Sequence, residues 1–300
     1  MVIVFGSINL DLIFAVPRLP ESGETVLGPE LAIQPGGKGA NQALAAARDG
    51  ARVIFAGAIG ADPFAEPALA GLAKAAVDVS RIAVVPGATG AAAITVDPDG
   101  RNQIAVAAGA NRFARAAQIE DALLTPEVTL LLQMESEPAE VAALIRRARA
   151  ASARVILNLA PPLELDSDVL AMLDLLLLNE REAATLATRL GGKPDPRSLS
   201  DRLGLGVVRT LGAAGIEATV DGEEFRVPAH PVRVIDTTAA GDCFAGVLAA
   251  ALDRGRSVEE ALRRAVIAAG LACARAGSQA SLPTAAEIDA ACPHPNPSPE

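Results

Sequence analysis

Short runs made almost wholly of apolar residues recur along this chain: VIVFG (2–6), RVIFAGAIG (52–60), VTLLLQ (128–133), RVILNL (154–159), LLLLN (175–179) and GVVRTLG (206–212). Alanine-rich, helix-forming stretches follow them. A strand that faces water on one side alternates apolar and polar residues, whereas a strand apolar throughout must be covered on both faces. The pattern therefore predicts an α/β fold, with a mostly parallel central sheet and helices on both faces. With 300 residues, 51% of them hydrophobic, the chain can bury such a core without disulfide staples.

Two segments interrupt the alternation. Residues 13–34 (IFAV to ETVLGPELAIQ) and 81–107 (RIAVVP through AAAITVDPDGRNQIAVA) are strand-like, with turn signals such as DPDG and no helix between. They predict a small separate sheet projecting from the core, with lid segments near 12–34 and 83–107; ordinary edge hairpins are the plainer alternative. The main domain is expected over 1–292. The proline-rich PHPNPSPE (293–300) is expected to be a disordered tail.

A net charge of -10, with no block of Lys and Arg to override it, disfavours non-specific nucleic-acid binding as a function. No apolar run is long enough to span a membrane, and VIVFG begins without the basic and apolar regions of a secretory leader. Three widely spaced cysteines, Cys243, Cys273 and Cys292, suggest neither a disulfide framework nor a zinc knuckle. A cytoplasmic setting is expected.

Chemistry is concentrated at predicted strand ends and helix starts. QPGGKGANQALAAA (34–47) is a glycine-rich turn entering a helix. It is not a Walker A loop, which would need Gly at 32 and Ser or Thr at 39 where the chain has Ala32 and Gly39. Nor is it a dinucleotide fingerprint, since Gln42 stands where a glycine is required. GSINLD (6–11) puts Asn9 and Asp11 past the first strand, two residues apart and so on one face if extended. QMES (133–136) and NERE (179–182) place Glu135, Asn179 and Glu182 at further strand ends, where open parallel sheets bind ligands. DTTAAGD (236–242) precedes a strong helix, whose first N–H groups lack partners and form an anion site beneath the small residues Ala239, Ala240 and Gly241. Asp242 itself is then either a helix cap or a catalytic carboxylate.

GSINLD, PGGKGAN, NERE, TLGAAG (210–215) and DTTAAGD stand in the order and spacing of the PfkB family of carbohydrate kinases, which the chain resembles over all but its last residues. The resemblance implies ATP-dependent phosphorylation of a sugar, D-ribose at its 5-hydroxyl, with other sugars or nucleosides as alternatives. Those alternatives are pseudouridine, fructose and 2-keto-3-deoxygluconate, with a non-catalytic sugar-binding regulator as the reading from another class. The resemblance implies sugar contacts from Asn9, Asp11, Gly37, Lys38, Asn41 and Glu135, and Asp242 as the base. Backbone N–H groups from Ala239 through Asp242 would form an anion hole. Asn179, Thr210, Gly212, Gly215 and Gly241 would hold ATP, and Glu182 would organise Mg2+ through water. A K+ site is implied at Asp236, Thr238, Ala272, Arg275, Gly277 and Ser281. The chain departs from the family at Leu159, Ala276, Ala280 and Cys243. The apolar strands AAAITV and QIAVA would expose hydrophobic faces unless covered, so a homodimer through the small sheets is expected.

Overall fold

The computed structural model describes residues 1–292; the tail at 293–300 lies outside the described residues. The first half of the chain runs β1 (Val2–Phe5), β2 (Asn9–Ala15), β3 (Glu30–Gly36), α1 (Lys38–Arg48), β4 (Val53–Gly60), α2 (Ala65–Lys74), β5 (Asp78–Val85), β6 (Gly90–Val96) and β7 (Asn102–Ala107). The second half runs β8 (Thr129–Leu132), α3 (Pro138–Ala150), β9 (Arg154–Asn158), α4 (Ser167–Leu170), β10 (Leu175–Asn179), α5 (Glu180–Leu190), α6 (Pro196–Leu203) and β11 (Gly206–Thr210). It ends with β12 (Ile216–Val220), β13 (Glu223–Val227), α7 (Ala240–Asp253), α8 (Val258–Cys273) and α9 (Ala285–Ala291).

Strand β1 shows why the apolar runs are strands. Val2 and Val4 enter one core with α1, α2, α7 and α8, while Ile3 and Phe5 enter the other with α3, α5 and α6. All four are fully buried, so a period of two leaves no position for a polar residue. The large sheet has the order β13-β12-β11-β10-β9-β8-β1-β4-β5 and is parallel except at β12 and β13. From β1 the chain builds outward through β4 to β5, then returns to lay β8 on the other side of β1. The strand order reverses between β1 and β8, and in such sheets a crevice opens above the carboxyl ends at that point.

The smaller sheet, of order β3-β2-β6-β7, is separate, as the interrupted segments predicted. One expectation needs correction. RIAVVP (81–86) does not join it but lies in β5, an edge strand paired in parallel with β4. A half-exposed edge strand carries polar residues such as Asp78, Ser80 and Arg81, and so reads like a hairpin arm rather than a buried strand. The β12–β13 hairpin likewise escaped the apolar-run pattern. It turns at Asp221 and Gly222, both at positive φ (52° and 80°), as a tight hairpin turn requires.

Helices α1 and α7 lie side by side under the crevice. An added Cβ at Gly246 would come within 2.8 Å of the Ala45 Cβ, so glycine permits the close approach. At their far ends the buried Asp49 carboxylate accepts from Arg264 Nε at 2.8 Å and from Arg254 Nη2 at 2.5 Å. Each helix therefore presents its N-terminus at the same place. No helix among the described residues is long and apolar enough to cross a membrane.

Candidate active site

Asp242 occupies the third position of α7, not its cap. The cap is Ala239, in the left-handed region at φ 58°, with no side-chain cap bond. Instead of reaching back to the helix backbone, the Asp242 carboxylate accepts Asn41 Nδ2 on one oxygen and Gln42 Nε2 on the other, each at 3.0 Å. The geometry thus removes the reading of Asp242 as a cap. In the same turn, Ala240 N–H reaches Thr237 O at 3.3 Å and Cys243 N–H reaches Ala239 O at 2.8 Å. The N–H groups of Gly241 and Asp242 find no acceptor among the described residues, which leaves them for an anion. A Cβ added at Gly241 would meet nothing within 4 Å, so the packing of the chain does not explain that glycine.

Around Asp242 the crevice divides into connected clefts. Asn9, Lys38 and Glu135 line one of about 490 Å³, together with Asn111 and Arg112. Lys38, Asn158, Asn179, Glu182, Thr210, Gly241 and Asp242 line a polar one of about 230 Å³. Asp11 lines a wide cleft of about 1050 Å³ beneath the small sheet that reaches Asp236 and Thr238. Thr210, Gly212, Gly215 and Gly241 share an apolar cavity of about 400 Å³ with His230, Phe244, Val266 and Gly270.

Local structure fixes these side chains. β2 sets Asn9 and Asp11 on one face, both buried. Asn111, on a short 3-10 turn, accepts Ile8 N–H at 2.9 Å and donates from Nδ2 to Asn9 Oδ1 at 2.8 Å, which turns the Asn9 Nδ2 away toward the cleft. Gly37, at φ 92°, is the single residue between β3 and α1 and stands at the N-cap of α1. Glu135 Oε2 accepts Ser7 Oγ at 2.5 Å and Lys38 N–H at 3.1 Å, tying the turn after β1 to the start of α1. Asn179 caps α5, accepting Glu182 N–H at 2.8 Å, while Glu182 Oε2 accepts Asn179 N–H at 2.8 Å. This reciprocal box uses one oxygen of each side chain and leaves the rest facing the polar cleft.

Charge is crowded here. Burial first, then the charges of Glu135 and Asp242, push the Asp11 carboxyl up from 3.8 to about 6. Burial likewise raises Glu182, with Asp242 adding, against the Asn179 N–H and Lys38. The Asp242 carboxylate, followed by Glu135 and Glu182, holds the Lys38 ammonium above its ordinary value although burial opposes it. One half-buried lysine thus faces three carboxylates, two of which also act on Asp11, an arrangement that would favour a further cation or a hydroxyl donor.

Of the residues expected at a K+ site, Asp236, Thr238 and Gly277 come together. Asp236 accepts Thr238 N–H at 2.8 Å and Gly277 N–H at 2.9 Å. Burial alone would raise its pKa, but these bonds hold it below the usual value. Ala272 O accepts Arg275 N–H at 3.1 Å, the Arg275 side chain pairs with Glu287 at 2.5 Å, and Ser281 Oγ donates to Ser278 O at 2.8 Å. These three make no bond to Asp236, so the structure joins the set only in part.

Residues 1–285 match the model of the pfkB family of carbohydrate kinases. The chain belongs to that family. It is 34% identical to the ribokinase of Lactococcus lactis over 291 residues, covering 96% of this chain and 95% of that one. To the ribokinase of Haemophilus influenzae it is 35% identical, with 95% of each covered. The crystal structure of ribokinase from Thermotoga maritima superposes with a TM-score of 0.90 at 31% identity, covering 97% of this chain and 98% of that one. The structure of Arabidopsis thaliana ribokinase complexed with ribose and ATP gives 0.85 at 28% identity and covers 97% of both.

Gln42, Gln133, Asn111 and Asn158 belong to the architecture of this pfkB-family site but were not singled out in the sequence. None of these four carries a charge, and only tertiary contact identifies them.

Asp11 generates a prediction with a definite sign. Its raised pKa means that between about pH 4 and 6 the folded chain binds a proton the unfolded chain has released, so stability falls as pH rises through that window. Asp11→Asn removes the cost of ionisation. The variant should exceed the parent in unfolding free energy by up to about 3 kcal/mol above about pH 7, with the gap closing toward about pH 4. Denaturant titrations at the two pH values check this, and a gap independent of pH would refute it.

Proposed function

We propose that this chain transfers the terminal phosphoryl group of ATP to the 5-hydroxyl of D-ribose. The observation that carries the reading is the place of Asp242. It sits where the polar cleft of Lys38 and Glu182 meets the free N–H groups of α7, with its carboxylate held by Asn41 and Gln42 rather than spent on capping. Ribose and ATP in the Arabidopsis relative, and the ribokinase names of the relatives matched along nearly their whole length, support the substrate pair.

In this reading Asn9, Asp11, Gly37, Lys38, Asn41 and Glu135 bind the sugar. Asn41 Oδ1 is buried without a partner, an acceptor suited to a sugar hydroxyl. Asp242 takes the proton of the attacking hydroxyl, a poor nucleophile near neutral pH. Of the Ala239–Asp242 turn, the free N–H groups of Gly241 and Asp242 meet the negative charge of the transferring group, the Ala240 N–H being taken by Thr237 O, and positioning does the remainder. Asn179, Thr210, Gly212, Gly215 and Gly241 hold ATP, its base in the apolar cavity. Glu182, with one carboxylate oxygen left over from the α5 capping box, would hold Mg2+ through water; when bound, the ion supplies charge neutralisation on the phosphates. The small sheet covers the sugar and keeps water from the phosphoryl group.

If Asp242 is the base, Asp242→Asn preserves size and removes proton acceptance. kcat should fall by about 10² to 10⁴ while ribose and ATP still bind. In a panel of sugars and nucleosides the parent should show its highest kcat/KM with ribose. A folded variant keeping more than about a tenth of parental kcat would return Asp242 to a structural role, and a better rate with pseudouridine or fructose would move the substrate.

K+ suits a cage of one carboxylate, Asp236, with oxygens of Thr238, Ala272, Arg275, Gly277 and Ser281, since Mg2+ demands a small octahedron. Lying just before the Ala239 turn, such an ion would act by fixing the loop that shapes the anion hole. Rates in potassium should exceed those in sodium after contaminating ions are removed; equal rates would refute the site.

The outer face of the small sheet leaves Phe14, Leu31 and Ile33 exposed, on the side of β2 opposite Asp11. A patch of that kind is rarely left open to water, and the reading includes a homodimer through these sheets. Light scattering should report twice the chain mass, and a monomer at micromolar concentration, with and without ribose, would remove the dimer.

A further inference from the structure

Two buried side chains lie behind the carboxylate at the centre of the site. Gln42 Nε2 donates to Asp242 Oδ1 at 3.0 Å, and Gln133 Nε2 donates to Gln42 Oε1 at 2.7 Å. Both glutamines are wholly buried, and neither lines the clefts around Asp242. We propose that Gln42 and Gln133 form a one-way amide relay that sets the orientation of the Asp242 carboxylate for proton acceptance. Gln42 and Gln133 are therefore positioning residues, and the inference rests on Asp242 being the base.

The direction of the relay follows from charge. An ionised carboxylate only accepts, so Gln42 must face it with its nitrogen. The Gln42 oxygen then points backward and needs a donor, which fixes Gln133 with its nitrogen forward. The chain ends at Gln133 Oε1, which is buried and has no partner. A pair assembled for stability alone would not strand an acceptor in the core, because a buried unpaired polar atom is costly. Here the stranded atom is the consequence of both amide nitrogens pointing forward along the chain that ends at Asp242.

The backbone makes room for this arrangement. The Gln133 carboxamide fills the space where a side chain at Gly6 would stand, in the turn between β1 and β2. Gln133 follows β8 directly, and Gln42 follows Asn41 on α1. The relay therefore runs from the strand beside the sheet's switch point, through α1, to the first turn of α7. Asn41 holds the second Asp242 oxygen at 3.0 Å from the same helix. With both oxygens gripped, the plane of the carboxylate is fixed and its remaining lone pairs face the cleft.

The test uses Gln42→Met, Gln133→Met, the double variant and Gln133→Glu, each assayed for kcat, for KM with ribose and ATP, and for Tm. Misplacing a reacting group by ~1 Å can cost on the order of 10²-fold, so Gln42→Met should lower kcat by ~10-fold or more with both KM values within about twofold. Gln133→Met should lower kcat less. The double variant should be no slower than Gln42→Met, because Gln133 acts only through Gln42. Gln133→Glu is close to isosteric and keeps the core filled; when protonated its O–H can still donate to the Gln42 oxygen, and when ionised it offers only acceptors. Its kcat should therefore fall, relative to the parent, as pH rises and the new carboxyl ionises, and it serves should the methionine variants fail to fold. Losses confined to Tm, multiplicative kcat losses in the double variant, or a kcat–pH profile of Gln133→Glu identical to the parent's would each overturn the relay. An active Asp242→Asn would instead overturn the base, whereas an inactive Asp242→Asn beside a fully active Gln42→Met would overturn the relay alone.

Discussion

The close packing of α1 on α7 is the contact on which the rest depends. Side chains and free N–H groups at the two N-termini must meet at one point above the β1–β8 crevice. Gly246 allows the approach, and Asp49, held by Arg254 and Arg264, pins the opposite ends. A larger residue at the contact would separate Asn41 and Gln42 from Asp242 and undo the hydrogen bonds that distinguish this carboxylate from an ordinary helix cap. The backbone route of two helices thus decides the state of one side chain.

The electrostatic design is correspondingly unbalanced. Glu135, Glu182 and Asp242 act on Lys38, Asp11 lies within reach of Glu135 and Asp242, and burial pushes the Asp11 and Glu182 carboxyls up. Such a cluster lowers the stability of the chain by itself. It is intelligible if hydroxyl donors and a cation share the site during turnover, since buried carboxylates persist only where they are paired or used.

How much of this was legible in the sequence depended on how a residue signals its place. The doubly covered strands β1, β4, β8, β9, β10 and β11 were visible because burial on both faces leaves an uninterrupted apolar run. β5 and the β12–β13 hairpin were misplaced or missed because edge strands mix polar residues into the pattern. At the site, the charged and glycine-flanked positions stood out: Asp11, Lys38, Glu135, Glu182 and Asp242. Among the neutral amides, Asn9, Asn41 and Asn179 stood out through their motifs, but Gln42, Gln133, Asn111 and Asn158 did not. Gln42 entered the sequence reading only as the residue that spoils a dinucleotide fingerprint, and Gln133 only as the end of a strand. Their meaning lies in contacts across 91 and 200 residues of chain.

The connections of the small sheet carry one more consequence. β2 starts four residues after β1 ends, and β3 runs to within two residues of α1. Asn9 and Asp11 therefore ride on the first strand of that sheet, while Gly37 and Lys38 are yoked to the end of the next. There is almost no slack in either tether. Any swing of the sheet must drag both pairs of residues with it, so that moving the sheet and bringing the pairs together are one mechanical degree of freedom rather than two events in sequence.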